Sequence, residues 1–432
     1  MSDAVLDGVE VVNFGCRLNI AEGEAIRGAA REAGARDSIV FNSCAVTDEA
    51  VRQARQAVRR ALRERPGADV VVTGCAAELE AGRFVDMGAR VVRNDAKGLV
   101  ESYKDKNGAS TSSARTDLGD ERSTQPFALS LSKGRPSLPY TPALSGADHA
   151  RAFLGVQTGC SHSCTFCATV MARGTARSAT IAAVVAAARV AIDRGQREII
   201  LTGVDLASYG DDSGTTLGAL VEALLALPIE RLRLSSLDPN RIDDALFALL
   251  TQEQRVMPHV HLSLQAGDDM VLTRMKRRHR RADAVALVAR LKAARTEIAI
   301  GADLIAGFPT EDDSMFANSL ALIDDCDIVF GHIFPYSARA GTAAARMPQV
   351  GRAVARDRAA TLRAANMQRR HAWLDAQVGA TATMLVERDG LSGHAENFAA
   401  LTLSGPIAAG TIIPVRIGAR DNDRLTATEI AA

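Results

Sequence analysis

The sequence predicts an α/β chain with three folded parts. They are an amino-terminal doubly wound parallel sheet, a central partial (β/α)6 barrel and a small carboxy-terminal β-barrel. Three observations predict this. Apolar runs of strand length alternate with helical patterns over residues 1–101 and again over 148–345. Cysteines follow the apolar runs at their carboxyl ends. Beyond residue 379 the pattern changes to short β-type runs broken by Gly and Pro.

In the first part, the runs Val9–Phe14, Ser38–Phe41, Val70–Thr73 and Arg90–Val92 read as strands. The segments Ala21–Ala33, Glu49–Arg65 and Ala76–Asp86 read as helices. Cys16, Cys44 and Cys75 each come two or three residues after an apolar run. Parallel strands would bring all three to one carboxyl edge, where such sheets place ligands. A shared metal site is the sharper reading, and three small hydrophobes at strand ends is the plainer one. The helix after Cys44 carries Arg52, Arg55, Arg59 and Arg63 at helical spacing. That stripe is either a solvated face or a contact for phosphate backbone.

Residues 102–147 contain 21 Ser, Thr, Gly or Pro among 46 and show no sustained period, as in a flexible linker or insertion.

The central part has six strand-like runs: Phe153–Val156, Glu198–Leu201, Leu232–Leu234, His259–Leu264, Ile298–Ile305 and Ile328–Phe334. Helical patterns over Ile181–Asp193, Leu217–Leu227, Ile242–Leu250, Asp283–Arg295 and Asp313–Asp325 separate the six. Six such units make an incomplete version of an eight-fold barrel, whose chemistry would lie at the carboxyl ends of the strands. The first strand is followed by Gly159-Cys160-Ser161-His162-Ser163-Cys164-Thr165-Phe166-Cys167. Three thiolates on one loop suit a face of an iron–sulfur cluster and leave one iron without a protein ligand. Structural zinc, the alternative, wants four ligands, and His162 is too close in sequence to complete a tetrahedron easily. Six of the eight residues Arg274–Arg281 are basic, which is either a soluble face or a polyanion site.

Residues 346–378 read as a basic helical connection, with seven Arg against Asp357 up to residue 371. Residues 379–432 contain the strand-like runs Ala382–Val386, Ala399–Leu403 and Thr411–Ile417 and are mildly acidic.

Composition narrows the setting. The formal net charge is zero, so any nucleic-acid surface must be local. No run of about 18 apolar residues and no basic-then-apolar leader occurs, so neither a membrane span nor a secretory signal is expected. Seven cysteines in two sets of three plus Cys326 are not a disulfide framework. A reducing cytoplasm that keeps thiolates free for metal fits, with Cys326 as a core residue.

Together the motifs resemble the radical S-adenosylmethionine methylthiotransferases over nearly the whole chain outside 102–147. The loop Val156–Cys167 resembles the family's radical-cluster loop. Gly15–Asn19, Asn42–Thr47 and Thr73–Cys75 resemble its amino-terminal cluster domain. Leu201–Gly210, Arg233–Ser236, Pro258–Gln265, Arg274–Arg277 and Phe334–Ser337 are most similar to the branch acting on threonylcarbamoyladenosine in tRNA. The tail, with Gly393–Phe398, resembles the family's terminal TRAM-like barrel.

The resemblance implies two 4Fe-4S clusters, one on Cys160, Cys164 and Cys167 and one on Cys16, Cys44 and Cys75. It implies S-adenosyl-L-methionine on the open iron of the first, cleaved to a 5′-deoxyadenosyl radical that takes hydrogen from carbon 2 of the adenine. An aromatic C–H of this kind has no acid–base route, so the cofactors carry the hard chemistry. The implied cofactor contacts are Phe166, Gly203, Asp205, Ser236 and Gln265, with Ile305 and Gly307 packing the adenine. The implied partners are tRNA, an electron donor such as flavodoxin or ferredoxin, and a sulfur source. Arg52, Arg55, Arg59, Lys276, Arg277, Arg278 and the 346–371 helix are the expected phosphate contacts. The same chemistry on isopentenyl-adenosine tRNA, or on a ribosomal protein aspartate, is the nearest alternative. A non-catalytic metal- or RNA-binding protein of this fold is the alternative of another class. The chain departs from the family pattern at 168–172, which lacks the usual Ile-Pro-Tyr, but keeps Ala172-Arg173-Gly174. No acidic residue adjoins Gly203.

Overall fold

Alternation along three short strands builds the first unit. The computed structural model describes residues 8–104 and 140–430 and divides into two units. In the first unit β1 (Val9–Asn13), β2 (Ser38–Ser43), β3 (Asp69–Gly74) and β4 (Arg90–Val91) pair in parallel in sequential order. Val9, Val11, Val40 and Val71 face Ile26 and Ala30 of α1 (Arg17–Glu32). Their neighbours Ile39, Phe41, Val70 and Val72 face α2 (Asp48–Glu64), α3 (Cys75–Leu79) and α4 (Ala81–Asp86). Both faces are covered, which is why the strands read as unbroken apolar runs.

In the second unit β5 (Ala143–Leu144) lies antiparallel on the edge of β6 (Arg151–Gly155). Residues 105–139 lie outside the described residues. The ends of the expected linker 102–147 are nevertheless ordered, because Tyr103 is buried in the first unit and β5 adds to a sheet. A two-residue pair, β7 (Gln157–Thr158) with β8 (Arg177–Ser178), brackets α5 (Thr169–Arg173). Then come α6 (Ile181–Asp193), β9 (Glu198–Thr202), α7 (Leu217–Leu225), β10 (Arg231–Leu234) and α8 (Asp244–Gln252). They are followed by β11 (His259–Gln265), α9 (Asp269–Arg274), α10 (Arg281–Ala294), β12 (Ala299–Ala306), α11 (Asp313–Asp325) and β13 (Ile328–Pro335).

The parallel strands run β6-β9-β10 and β11-β12-β13, and single bridges at Leu232–Val256 and Leu237–Leu262 link the two sets. This is the open six-stranded barrel. Ile300, Ala302 and Leu304 of β12 pack in the core shared with the surrounding helices. Gly301, Asp303 and Ile305 therefore face the concave side.

The 24-residue α12 (Arg352–Asp375) buries Ala359 and Leu362 in the half-barrel core and Leu374 in the core of the last domain. That domain is a closed barrel ordered β14 (Thr381–Val386), β15 (Ser392–Ala395), β16 (Ala400–Leu403), β18 (Arg424–Glu429), β17 (Ile412–Asp421). Two of its strands, β15 and β18, are absent from the sequence reading. Their alternating polar residues hide a pattern that only closure of the barrel makes apolar on one side.

Buried arginines fasten this barrel to the half-barrel. Arg233, fully buried, holds Glu198 at 3.1 Å and donates to the Glu396 carbonyl. Its guanidinium lies 4.8 Å from the centre of the Phe398 ring, against which His394 stacks. Arg231 donates to the carbonyl of Thr383, and Arg151 pairs with Glu387 at 2.6 Å.

Replacing Arg233 by methionine removes the nearer partner of buried Glu198. The expected cost is about 3–5 kcal/mol, the range for breaking one side of a buried pair. Urea unfolding followed by Trp373 fluorescence measures it, since Trp373 packs on the terminal barrel.

Candidate radical and auxiliary cluster sites

The second cysteine triplet sits where the half-barrel's first strand ends. Gly159 takes a positive φ of 72° and turns the chain into the loop. Buried Gln157 braces the neighbouring turn: its side-chain carbonyl accepts from the amides of Val204 and Asp205, both at 3.0 Å. A Cβ on Gly203 would stand 2.9 Å from that same oxygen, so the brace requires glycine there. Asp205 turns towards the thiols, 3.1 Å from His162 Nε2 and 3.6 Å from Cys160 Sγ. Arg277 approaches Cys164 Sγ at 3.6 Å and is held by Asp238 at 2.7 Å and the Ser263 carbonyl at 2.9 Å. Cys167 Sγ meets the Thr169 hydroxyl at 2.9 Å.

Burial, with Asp205 adding to it, pushes the Cys160 thiol up to about 12. Such a thiol ionises only against a strong positive charge, which bound iron provides. His162, the only imidazole in the loop, is committed to Asp205. The donor set is thus three sulfurs without a fourth protein ligand from the loop, which fits a 4Fe-4S cluster with an open iron and not a closed zinc site.

The expected cofactor contacts fall at the same mouth, with one change. Phe166, Ile305 and Tyr336 line an apolar cluster with Phe308 and Met275. Gln265 closes β11 with a left-handed φ of 69°, strained backbone of the kind that collects at functional sites. Ser236 is half-buried in the turn after β10. Gly307 is explained otherwise: at φ 72° its Cβ would come 2.3 Å from that of Ala355, so close packing of α12 demands the glycine.

The first triplet occupies one edge of the first unit's sheet, as parallel pairing dictates. Cys16 caps α1, Cys44 follows β2 and Cys75 opens α3. Gly15 and Gly74 have φ near +90°. A Cβ on Gly15 would meet Cys44 Sγ at 2.5 Å, and one on Gly74 would meet the Ser43 carbonyl at 2.3 Å. Burial raises the Cys44 thiol to about 11.

Beside these cysteines is a buried charge network that the sequence reading left without a role. Arg173 belongs to the first unit although it follows the second triplet in sequence. Its Nε stands 3.1 Å from Cys75 Sγ, and its other nitrogens bind Glu22 at 2.9 and 3.0 Å and Asn19 at 2.8 Å. Lys97 reaches Glu22 at 2.5 Å and Asn94 at 2.8 Å. A signal was available: Asn19 and Glu22 lie on the buried face of α1, where an unpaired acid is too costly to keep.

The expected phosphate contacts divide. Arg277 is not a surface residue: its side chain is 7% exposed and lies inside the second-triplet site. The run 274–281 alternates around a turn, so Lys276 and Arg278 point outward while Arg277 points in. Arg52 and Arg59 are exposed, Arg52 pairing with Glu49, and Arg55 is half-buried against Glu80. On α12, Arg358 pairs with Glu311 and Asp313, Arg369 pairs with Asp327, and Arg363 and Arg370 donate to backbone carbonyls. Arg358, Arg369 and Arg370 hold the helix in place, and the expected 346–371 helix begins only at Arg352, so Arg346 lies before it and is exposed with Arg352, Arg356 and Arg363. Among the described residues no helix is long and apolar enough to cross a membrane.

Comparison with known proteins gives the family. Residues 154–323, the half-barrel with its cysteine loop, match the Radical SAM superfamily, which defines the class as radical S-adenosylmethionine enzymes. Residues 8–92 match the family described as Uncharacterized protein family UPF0004. The threonylcarbamoyladenosine tRNA methylthiotransferase MtaB of Rickettsia prowazekii is 38% identical, with 94% of each chain covered. The protein of the same name from Bacillus subtilis is 31% identical over 77% of this chain and 74% of its own. The tRNA-2-methylthio-N(6)-dimethylallyladenosine synthase of Novosphingobium aromaticivorans is 34% identical over 88% of this chain and 86% of its own. The radical S-adenosylmethionine methyltransferase TsrM of Kitasatospora setae superposes with a TM-score of 0.50. It is 16% identical, covering 76% of this chain and 68% of its own, and bears on the fold alone.

The chain belongs to the radical S-adenosylmethionine methylthiotransferase family. Membership implies S-adenosylmethionine and a 4Fe-4S cluster, and Cys160, Cys164 and Cys167 are the residues that fit it.

Glu22 tests the charge network by pH. Arg173 and Lys97 outweigh its burial and lower its carboxyl to about 2. A depressed acid stabilises the fold above its unfolded value near 4.5 and loses that contribution as pH falls towards 2. Thermal melts of the first unit between pH 7 and 3 are expected to drop more steeply for the wild type than for Glu22→Gln, which starts lower but titrates less.

Proposed function

We propose that this enzyme methylthiolates carbon 2 of threonylcarbamoyladenosine beside the tRNA anticodon. The observation that carries the reading is the 38% identity, end to end, with a protein named for that activity. The two sets of three thiols support it, since sulfur insertion needs a second centre besides the one that makes the radical.

In this reading Cys16, Cys44 and Cys75 hold a second 4Fe-4S cluster. When bound, the two clusters supply the electron that cleaves S-adenosylmethionine and the sulfur that is transferred. The chain's own residues bind and orient. Gln157 holds the Gly203–Asp205 turn against the loop, and Gly203, Asp205, Ser236 and Gln265 contact the cofactor. Phe166 and Ile305 offer an apolar wall that excludes water from its adenine. Arg277 fixes the loop at Cys164, and Arg173 places a positive charge on Cys75. Arg52, Arg55, Arg59, Lys276 and Arg278 are the side chains offered to tRNA phosphates. A small electron carrier of the flavodoxin or ferredoxin kind and an external sulfur source complete the cycle.

Isopentenyl-adenosine tRNA is the second reading, favoured by the 34% match to the dimethylallyladenosine synthase. Mass spectrometry of tRNA nucleosides from a deletion strain separates the two. Loss of the methylthio-threonylcarbamoyl nucleoside is expected. If it persists unchanged the proposal fails, and loss of the isopentenyl product instead selects the second reading.

The triplets divide the labour in a measurable way. Cys160→Ala is expected to lose about half the iron and all cleavage of S-adenosylmethionine. Cys44→Ala is expected to lose a similar share of iron yet still form 5′-deoxyadenosine without methylthio product.

A further inference from the structure

The concave face of the half-barrel carries a side-chain cluster that neither triplet uses. Three adjacent parallel strands each contribute one residue: His261 from β11, Asp303 from β12 and His332 from β13. The register sets Asp303 directly beside His332, and His261 beside Gly301, two residues before Asp303 on the same face. His261 Nε2 lies 3.0 Å and His332 Nδ1 3.2 Å from one and the same oxygen, Asp303 Oδ1. The two imidazole rings are 4.5 Å apart between centres. One donor atom from each residue lies within 4.8 Å of the other two.

We propose that His261, Asp303 and His332 form a binding site for one divalent transition cation of the zinc class, separate from both cysteine triplets.

Three features carry this. The donor set is two imidazoles and one carboxylate, a combination that zinc and its neighbours take readily and that leaves positions open for other ligands. The spacing is compact: ligands 2.0–2.2 Å from a tetrahedral zinc stand about 3.3–3.6 Å from one another, and the two His–Asp separations, 3.0 and 3.2 Å, need only a few tenths of an ångström of opening, with all three donor atoms within 4.8 Å. The donors come from the interiors of rigid strands, which is where a preorganised site is best built. Gly301 shows how closely the site is packed, since a Cβ there would fall 2.3 Å from His261 Nδ1. His261 is buried and His332 is 60% exposed, so a cation would be approached from the His332 side.

The test uses the full chain with both triplets loaded with iron and sulfide under anaerobic conditions, so that the cysteines are occupied. The protein is equilibrated with zinc sulfate, desalted, and its zinc and iron measured by plasma mass spectrometry. X-ray absorption at the zinc edge then reports the ligands. About one zinc per chain, bound by nitrogen and oxygen without sulfur, is expected. It is expected to be lost in His332→Ala, His332→Gln and Asp303→Asn while iron content stays unchanged. His332 is exposed, so its variants test the site without disturbing the core. No zinc in the wild type, sulfur in its ligand shell, or equal zinc in the His332 variants would overturn the proposal. The last result would leave the cluster as a hydrogen-bonded triad. None of these readouts depends on methylthiolation, so failure here leaves the proposed function standing.

Discussion

Parallel pairing forces every strand of a sheet to end on the same edge, and both cysteine centres depend on that constraint. In the first unit it brings together Cys16, Cys44 and Cys75, which are separated in sequence by 28 and 31 positions. In the half-barrel it collects the cysteine loop, the Gly203 turn, Ser236 and Gln265 at one mouth. The two triplets solve the same problem in different ways. One is local, a loop whose spacing alone presents three sulfurs. The other is assembled by the sheet, and glycines with positive φ at Gly15 and Gly74 let the chain turn within contact of Cys44 and Ser43.

A few arginines are spent inside the protein. Arg173, Arg233, Arg277 and Arg358 are each buried against a carboxylate: Glu22, Glu198, Asp238 and Glu311. A buried pair of this kind adds little net stability, because desolvation cancels most of the attraction. Its value is positional. Arg277 and Arg173 each hold a guanidinium beside a cysteine sulfur, fixing a positive charge where a thiolate would be negative. Arg233 does the equivalent at the terminal barrel, where one planar group satisfies Glu198, a carbonyl and the face of Phe398.

This use of charge narrows the expected phosphate-binding surface. A basic count along the chain overstates it, since Arg358, Arg369 and Arg370 of α12 and half of the expected contacts elsewhere already have acidic or backbone partners. The exposed remainder, with Arg59, Lys276, Arg278 and Arg356 among them, is smaller. An overall charge of zero is consistent with that economy.

The sequence by itself determined the parts with local signatures. Strand and helix order follow from apolar period, and the Cys160–Cys167 loop follows from spacing. The convergence of Cys16, Cys44 and Cys75 follows once the strands are known to be parallel. Long-range pairing decided the rest. Arg277 sits in a run of six positive charges, and nothing in that run says which one turns inward to Asp238 and Cys164. Gly307 resembles a cofactor-loop glycine, but its reason is Ala355, 48 residues away. Strands β15 and β18 carry too much polar residue to announce themselves, and become strands because barrel closure supplies their partners. His261, Asp303 and His332 are scattered over 72 positions without a motif, and only the register of three strands makes them neighbours. Local propensity is written residue by residue, whereas a contact between distant residues exists only once the backbone has fixed both ends.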